Sequence, residues 1–425
     1  MAFRLAIAFA CAFATAPPAL AATVDVHAGR LIDPETGKVS ADQRIRIVDG
    51  KIAAISRWAA SDGPATVDWS GMTVLPGLID LHTHIADGAT ESADPAEPFK
   101  HSESATILKA VPAALAMLRA GFTTVRDVGV YRGLTDVSLR DAINAGDIVG
   151  PRMFVAGGYI TTPGGGGEID ALAPDMPVPE TFRVGEVRNA AEARDKARYL
   201  LDHGADFIKL IATGAVLAIG SEPGALELSP EEMKAACDES KLRGSYCIAH
   251  AHGAEGIKAA IRAGARTIEH ASYLDAEGIA LAKKQGVWLD MDIYNGDWID
   301  EVGTKQGWPA EYLRKNRETT DVQRQGFAAA VKAGVKLTFG TDAAVYPYGL
   351  GGRQFAYMVR YGMSPIQAIQ AATTEAARAL GKEGQVGSLR VGAWGDLVAV
   401  RADPMNDIRA LEHVEAVIKG GELVH

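Results

Sequence analysis

From residue 74 onward the chain alternates an apolar, strand-like run with a helical pattern eight times over, and no other feature constrains the fold as tightly. The strand-like runs cover residues 74–82, 123–128, 152–157, 206–212, 245–250, 267–270, 287–293 and 336–340. Eight strand–helix units predict an α/β chain closed into a (β/α)8 TIM barrel. A doubly wound open sheet uses the same local alphabet; the count of eight and the placement of polar residues argue against it. The helix starts agree with this parse. Ser229-Pro230-Glu231-Glu232 and Ser364-Pro365-Ile366-Gln367 each supply a capping hydroxyl, a proline at the first helical position and an acid or amide two residues after it.

Both ends of the chain read differently. Arg44-Ile45-Arg46-Ile47-Val48, then Asp49-Gly50, then Lys51-Ile52-Ala53-Ala54-Ile55 is a hairpin pattern. The far end repeats it, with strand-like runs at 396–400 and 414–418 and Gly420-Gly421 turning into Glu422-Leu423-Val424. The two ends are therefore expected to form one small β-sandwich domain, 23–72 with 385–425, closed across a barrel at 73–384.

Residues 1–22 carry Arg4, an apolar run from Leu5 and the small-residue ending Ala19-Leu20-Ala21, the pattern of a cleaved export signal. The run is shorter than the roughly 20 residues that span a bilayer, so a periplasmic or secreted protein without a membrane anchor is expected. Of three cysteines, Cys11 falls in that signal. Cys237 and Cys247 remain, and the reading favours two buried free thiols over a disulfide. Fifty-three acidic against forty-three basic residues give a net charge of −10, the wrong sign for a nucleic acid or an anionic membrane. With 48% hydrophobic and 23% charged residues, the chain has the composition of an ordinary globular protein.

The chemistry gathers at strand ends. In Leu78-Ile79-Asp80-Leu81-His82-Thr83-His84, alternate residues of an extended strand share a face, so His82 and His84 point the same way. A paired H-x-H after an apolar strand is a candidate metal site. Lys209, His250, His270 and Asp342 occupy corresponding positions on later strands, at the barrel mouth where this fold keeps its active sites. Lys209 stands between Phe207-Ile208 and Leu210-Ile211, where an ammonium is costly unless paired or chemically altered. A structural salt bridge answers that cost; so does carbamylation, which turns the cation into a metal-bridging anion.

These motifs, with Gly121-Phe122-Thr123-Thr124-Val125-Arg126-Asp127 and Ala249-His250-Ala251-His252-Gly253, resemble the binuclear amidohydrolase superfamily over nearly the whole chain. Leu289-Asp290-Met291-Asp292-Ile293-Tyr294 and Gly340-Thr341-Asp342 are similar to its secreted branch of Xaa-Pro dipeptidase-like and ochratoxin-hydrolysing enzymes. The resemblance implies that His82, His84 and Asp342 hold one metal, that His250 and His270 hold another, and that carbamylated Lys209 bridges them. Zinc is the default metal, with manganese or cobalt also compatible with these donors. Asp342 is then also the catalytic proton carrier and His252 a catalytic group steadying the substrate. A homo-oligomer, up to an octamer, is further implied.

Two departures from that branch bear on the substrate. Pro163-Gly164-Gly165-Gly166-Gly167-Glu168 lacks a histidine common there, and Tyr346-Pro347-Tyr348-Gly349 has tyrosine where histidine is common. The glycine loop is readable as a lid or as a plain surface turn. Tyr294, Tyr346 and Tyr348, with Trp298, are candidates for an aromatic substrate wall. The leading expectation is a metal-dependent amide hydrolase taking N-acyl amino acids, ochratoxin A among them, or dipeptides ending in an apolar residue or proline. A cyclic-amide hydrolase similar to imidazolonepropionase, or a deaminase, is the enzymatic alternative. A periplasmic binding protein would explain the export signal and histidines but not a lone carboxylate after the last strand.

Overall fold

A computed structural model describes residues 23–425 apart from 60, 62, 88–93, 170–171 and 174. The export signal expected over 1–22 lies outside the described residues. No helix among them is long and apolar enough to cross a membrane.

The barrel is built from β5 (Leu78–Thr83), β6 (Phe122–Asp127), β7 (Arg152–Val155), β8 (Tyr159–Ile160), β9 (Ile208–Ile211), β10 (Cys247–Ala251), β11 (Thr267–His270), β12 (Trp288–Asp290) and β13 (Leu337–Thr338). Every neighbouring pair within the β5–β7 and β8–β13 runs is parallel. β7 and β8 are two halves of the third barrel strand, separated by Gly157 and Gly158 at φ 75° and 159°. The ring closes where the segment after β13 meets β5: Leu81 N donates to Phe339 O at 2.9 Å and His84 N to Ala343 O at 3.0 Å. Helices follow the strands, and both expected capping boxes, at Ser229 with Glu232 and Ser364 with Gln367, are present.

The ends of the chain meet in one mixed sheet. β1 (Thr23–Asp33), β2 (Lys38–Val48), β3 (Lys51–Arg57) and β4 (Val67–Pro76) join β14 (Leu397–Val400), β15 (Ala416–Lys419) and β16 (Glu422–Leu423) in the order β16-β15-β14-β4-β1-β2-β3. This sheet curls back on itself, since Ile52 N donates to Ala393 O at 2.9 Å and Gly395 N to Gly50 O at 2.8 Å. Val26, Ile45, Ile47, Trp69, Val74, Leu397 and Ile418 form a core of their own inside it.

Two readings need correction. Residues 74–76 belong to β4, and the first barrel strand starts at Leu78. The break is Gly77, where an added Cβ would lie 2.0 Å from Thr123 Oγ1, so the chain passes there only without a side chain. Cys237 and Cys247 are joined by a disulfide, with Cα atoms 5.1 Å apart, against the expectation of free thiols. The helix Pro230–Leu242 turns back through a short connection and lies along β10, which brings residues ten apart face to face.

Candidate metal centre and its cavity

The six residues singled out by sequence end up together. His82 and His84 project from the carboxyl end of β5, and the Nε2 atoms of both rings lie 3.4 Å from the same oxygen, Asp342 Oδ1. His82, His270 and Asp342 have ligand atoms within 4.8 Å of one another, as do His250, His252 and His270. His252, expected to touch substrate, is thus grouped with the strand-end histidines.

Each imidazole has one nitrogen already engaged. His84 Nδ1 donates to Gly129 O at 2.9 Å, which leaves Nε2 as the lone-pair side. His250 Nε2 faces Gly214 O at 3.2 Å, leaving Nδ1. His82 Nδ1 meets Glu269 Oε2 at 3.0 Å, and His270 Nδ1 meets Asp292 Oδ1 at 2.9 Å. Carboxylate or carbonyl partners of this kind fix the ring orientation of metal-binding histidines. Burial, with the Lys209 charge nearby, holds His82 well below the ordinary imidazole range, and burial does the same to His250 and His252. Neutral rings are the form that binds cations.

The backbone is bent to make this arrangement. Thr267 and Glu269 on β11 share the face that reaches into the barrel, so alternation alone would send His270 the other way. His270 instead adopts φ 65° and Asp342 φ 57°, left-handed conformations that cost roughly 1–2 kcal/mol each for residues with a Cβ. Gly340 has no alternative either, because a Cβ there would come within 1.8 Å of Asp290 Oδ1.

Beneath His82 lies a charged set inside the barrel. Arg126, Glu269 and Asp290 are fully buried. Arg126 Nη2 donates to Glu269 Oε1 and Oε2 at 3.0 and 3.1 Å, Nη1 to Thr267 Oγ1 at 3.0 Å, and Nε to Leu81 O at 2.7 Å. Glu269 is thereby held by Arg126 on one side and holds His82 on the other.

Lys209, on β9, is 1% exposed, and among the described residues no carboxylate makes an ion pair with it. The salt bridge entertained from sequence is absent, and burial pulls its ammonium down to about 8. Burial alone would raise Asp342, but the hydrogen bond to His84 and the His270 charge hold its carboxyl below the ordinary range. The matching effect on His84, opposed by burial, lifts that ring to about 8. The neutral imidazoles of His82, His250 and His252 and the ionised Asp342 carboxylate are donors that fit a site for divalent cations.

Above these residues opens a cavity of about 200 Å³. Its wall includes Tyr131, Tyr159, Ile211, Leu217, Ile219 and Tyr312. None of the tyrosines proposed from sequence lines it. Tyr294 and Tyr346 pack edge to face at 5.1 Å in a cluster with Trp298, and Tyr348 donates its hydroxyl to His84 O at 3.0 Å. Their neighbours Asn295, Ala344 and Val345 line the cavity, while the tyrosine rings themselves do not. Tyr159, whose hydroxyl donates to Gly129 O at 3.0 Å beside His84, stands at the end of the third barrel strand, where position alone marks it for function. Tyr312 arrives on the long helix Ala310–Ala333 and carries no local signal. The glycine loop is tied down through Gly166 N, which donates to Glu227 Oε2 at 2.8 Å.

The sequence profile described as the amidohydrolase family matches residues 73–424. The chain belongs to the amidohydrolase family. A curated relative, the ochratoxinase of Aspergillus niger, is 30% identical over 367 residues, which cover 82% of this chain and 75% of that one. Among solved structures, a Xaa-Pro dipeptidase with methionine bound in its active site superposes with a TM-score of 0.87 at 36% identity, covering 95% of this amidohydrolase and 99% of that chain. The Aspergillus niger ochratoxinase structure gives 0.84 at 28% identity, with 95% and 96% covered. The fold is therefore the (β/α)8 barrel, and this amidohydrolase acts on amide bonds.

Proposed function

We propose that this chain is an exported, metal-dependent amide hydrolase that releases a C-terminal apolar residue or proline from dipeptides and N-acyl amino acids, ochratoxin A among them. The observation that carries the reading is the convergence of His82 and His84 Nε2 on Asp342 Oδ1 beside the unpaired amine of Lys209. The Xaa-Pro dipeptidase and ochratoxinase among the relatives support the choice of scissile bond.

His82, His84 and Asp342 would hold one divalent ion, most simply zinc, and His250 and His270 a second. Lys209, whose ammonium burial lowers to about 8, would add through its neutral Nζ to carbon dioxide, releasing a proton to solvent, and the resulting carbamate would supply an anionic ligand to the ions. When bound, the two ions supply Lewis acidity toward the scissile carbonyl and lower the pKa of water. Asp342 accepts the proton of the attacking water at its carboxylate and passes it to the leaving nitrogen, so that the amine departs neutral. His252, whose Nδ1 is fixed 2.8 Å from Ser272 Oγ, presents its other nitrogen to the substrate carbonyl or carboxylate. We further propose a homo-oligomer, up to an octamer, as in the branch this chain resembles.

The test is amino-acid release from a panel of N-acyl amino acids and X-Pro dipeptides by zinc-loaded and by chelated protein. Zinc-dependent release of phenylalanine, leucine or proline is expected. Silence across the panel, with two metals measured per chain, would sink this reading and favour cyclic amides, the substrates of imidazolonepropionase; that enzyme of Halobacterium salinarum is 25% identical over 432 residues.

A further inference from the structure

Residues 214–222 follow β9 without forming helix or strand, and residues 215–219 all line the cavity. They read Ala215-Val216-Leu217-Ala218-Ile219, an unbroken apolar run, and Ile219 is 43% exposed. Apolar side chains held out to water along a cavity mark a surface that something apolar covers. Leu217 packs against the cluster formed by Tyr294, Ile299, Trp308, Val345 and Tyr346, so the run continues into a larger apolar cluster.

A loop of this kind needs an outside scaffold to keep its shape, and the helix Ala310–Ala333 provides one. Lys315, fully buried, sends its ammonium under the loop. It donates to the carbonyls of Ala218 and Ser221, with Ala215 O at 3.5 Å and the Glu311 carboxylate at 2.7 Å. Glu311 also accepts from Gly220 N at 3.0 Å, and Arg314 pairs with Glu222 at 2.6 Å. One face of one helix thus clasps the loop at five positions. The carbonyls and Glu311 together occupy the three donors of the ammonium, which is the condition for burying it. Asn316, Thr319 and Thr320 of the same helix line the cavity beside the clasp.

We infer that residues 215–219 are the wall that selects the side chain of the leaving residue, and that Lys315 is the positioning residue that gives this wall its shape. The inference rests on the amide-hydrolase reading for its assignment to the leaving side. There the departing nitrogen takes its proton from Asp342, and Val345, three residues further on, packs in the same cluster as Leu217. The leaving group's substituent therefore emerges against an apolar surface. Residues with a bulky apolar side chain, such as phenylalanine or leucine, are the class it takes; glycine and acidic residues are disfavoured.

The experiment compares zinc-loaded wild type with Ile219→Asp, Lys315→Met and Lys315→Arg. Phenylalanine and glycine release is measured from two substrates sharing one acyl group, and binding of free phenylalanine and free glycine is measured by calorimetry. Ile219→Asp is expected to lower the phenylalanine-to-glycine ratio of kcat/KM at least tenfold. Lys315→Met is expected to raise KM for the phenylalanine substrate far more than it lowers kcat, with Lys315→Arg recovering part of the loss. Unchanged ratios in both Ile219→Asp and Lys315→Met would overturn the inference. If wild type releases neither amino acid yet binds phenylalanine over glycine, and Ile219→Asp abolishes that preference, the wall stands and the hydrolase reading fails. Absence of both release and preferential binding overturns both.

Discussion

Replacing Arg126 with methionine isolates the energetic weight of the charged set inside the barrel. The guanidinium is fully buried and makes four hydrogen bonds, to Leu81 O, Thr267 Oγ1 and both oxygens of Glu269. Methionine fills most of the volume but leaves Glu269 and Asp290, both fully buried, with no cation between them. Breaking one side of such a pair costs about 3–5 kcal/mol, because the remaining charge is buried and uncompensated. Removing both sides in Arg126→Met with Glu269→Leu removes that penalty, so the double variant should recover at least about 1 kcal/mol over the sum of the single losses. Urea unfolding of metal-free protein is the assay, since a metal bound only to the native state would add its own stabilisation. A loss under about 1 kcal/mol in Arg126→Met, or strict additivity in the double variant, would show that the set contributes little and that its role has been misread.

Four other outcomes follow from the same structure. Glu269→Gln, which weakens the grip on His82 Nδ1, should reduce zinc affinity about 10–100-fold in a chelator competition while the far-UV spectrum is unchanged. Asp342→Asn should lower kcat about 10²–10⁴-fold for the loss of proton transfer, with metal content by atomic absorption showing how much of that loss is missing metal. Reduction of the Cys237–Cys247 disulfide, which closes a separation of ten residues, should cost about 3 kcal/mol of stability on chain-entropy grounds, read as the difference between denaturant midpoints with and without reductant. Across the β1–β2 pair of the end sheet, Arg44 and then Arg46 hold Asp25 down to about 2 from 3.8. A lowered carboxylate stabilises above its unfolded pKa and loses that contribution as pH falls through the folded one. Wild type should therefore exceed Asp25→Asn above pH 4 by no more than about 1 kcal/mol, given solvent screening, and the gap should close toward pH 2.

The barrel was legible because alternation of apolar strands and helices is a local property, repeated often enough to count. The metal-ligand candidates were legible for a related reason: polar residues at the ends of apolar strands are out of place by composition alone. Other features depend on backbone turns that a periodicity does not carry. His270 follows Glu269 directly, and only the left-handed turn at His270 lets neighbours on one strand serve both the barrel interior and the mouth. Tyr346 and Tyr348 are large and near Asp342 in sequence, but Tyr346 packs into the cluster with Tyr294 and Tyr348 bonds to His84 O, so neither ring lines the cavity. Tyr312 and the Lys315 clasp reach the cavity from a helix about a hundred residues after β9, a distance no local pattern spans. The disulfide was missed because its formation depends on how far the helix Pro230–Leu242 turns back onto β10.

The end sheet sets the order in which the molecule can be completed. β4 pairs on one side with β1, made early, and on the other with β14, whose residues come more than three hundred positions later. Until β14 to β16 have been made, β1 to β4 present an unpaired edge and an apolar inner face without those strands. A ribosome-bound chain can thus assemble the βα units in sequence, yet the sheet that joins its two ends waits for the final strands. Folding of this protein should accordingly finish only once β14 to β16 have been made, and their truncation should leave aggregation-prone material even though every metal-site candidate is present.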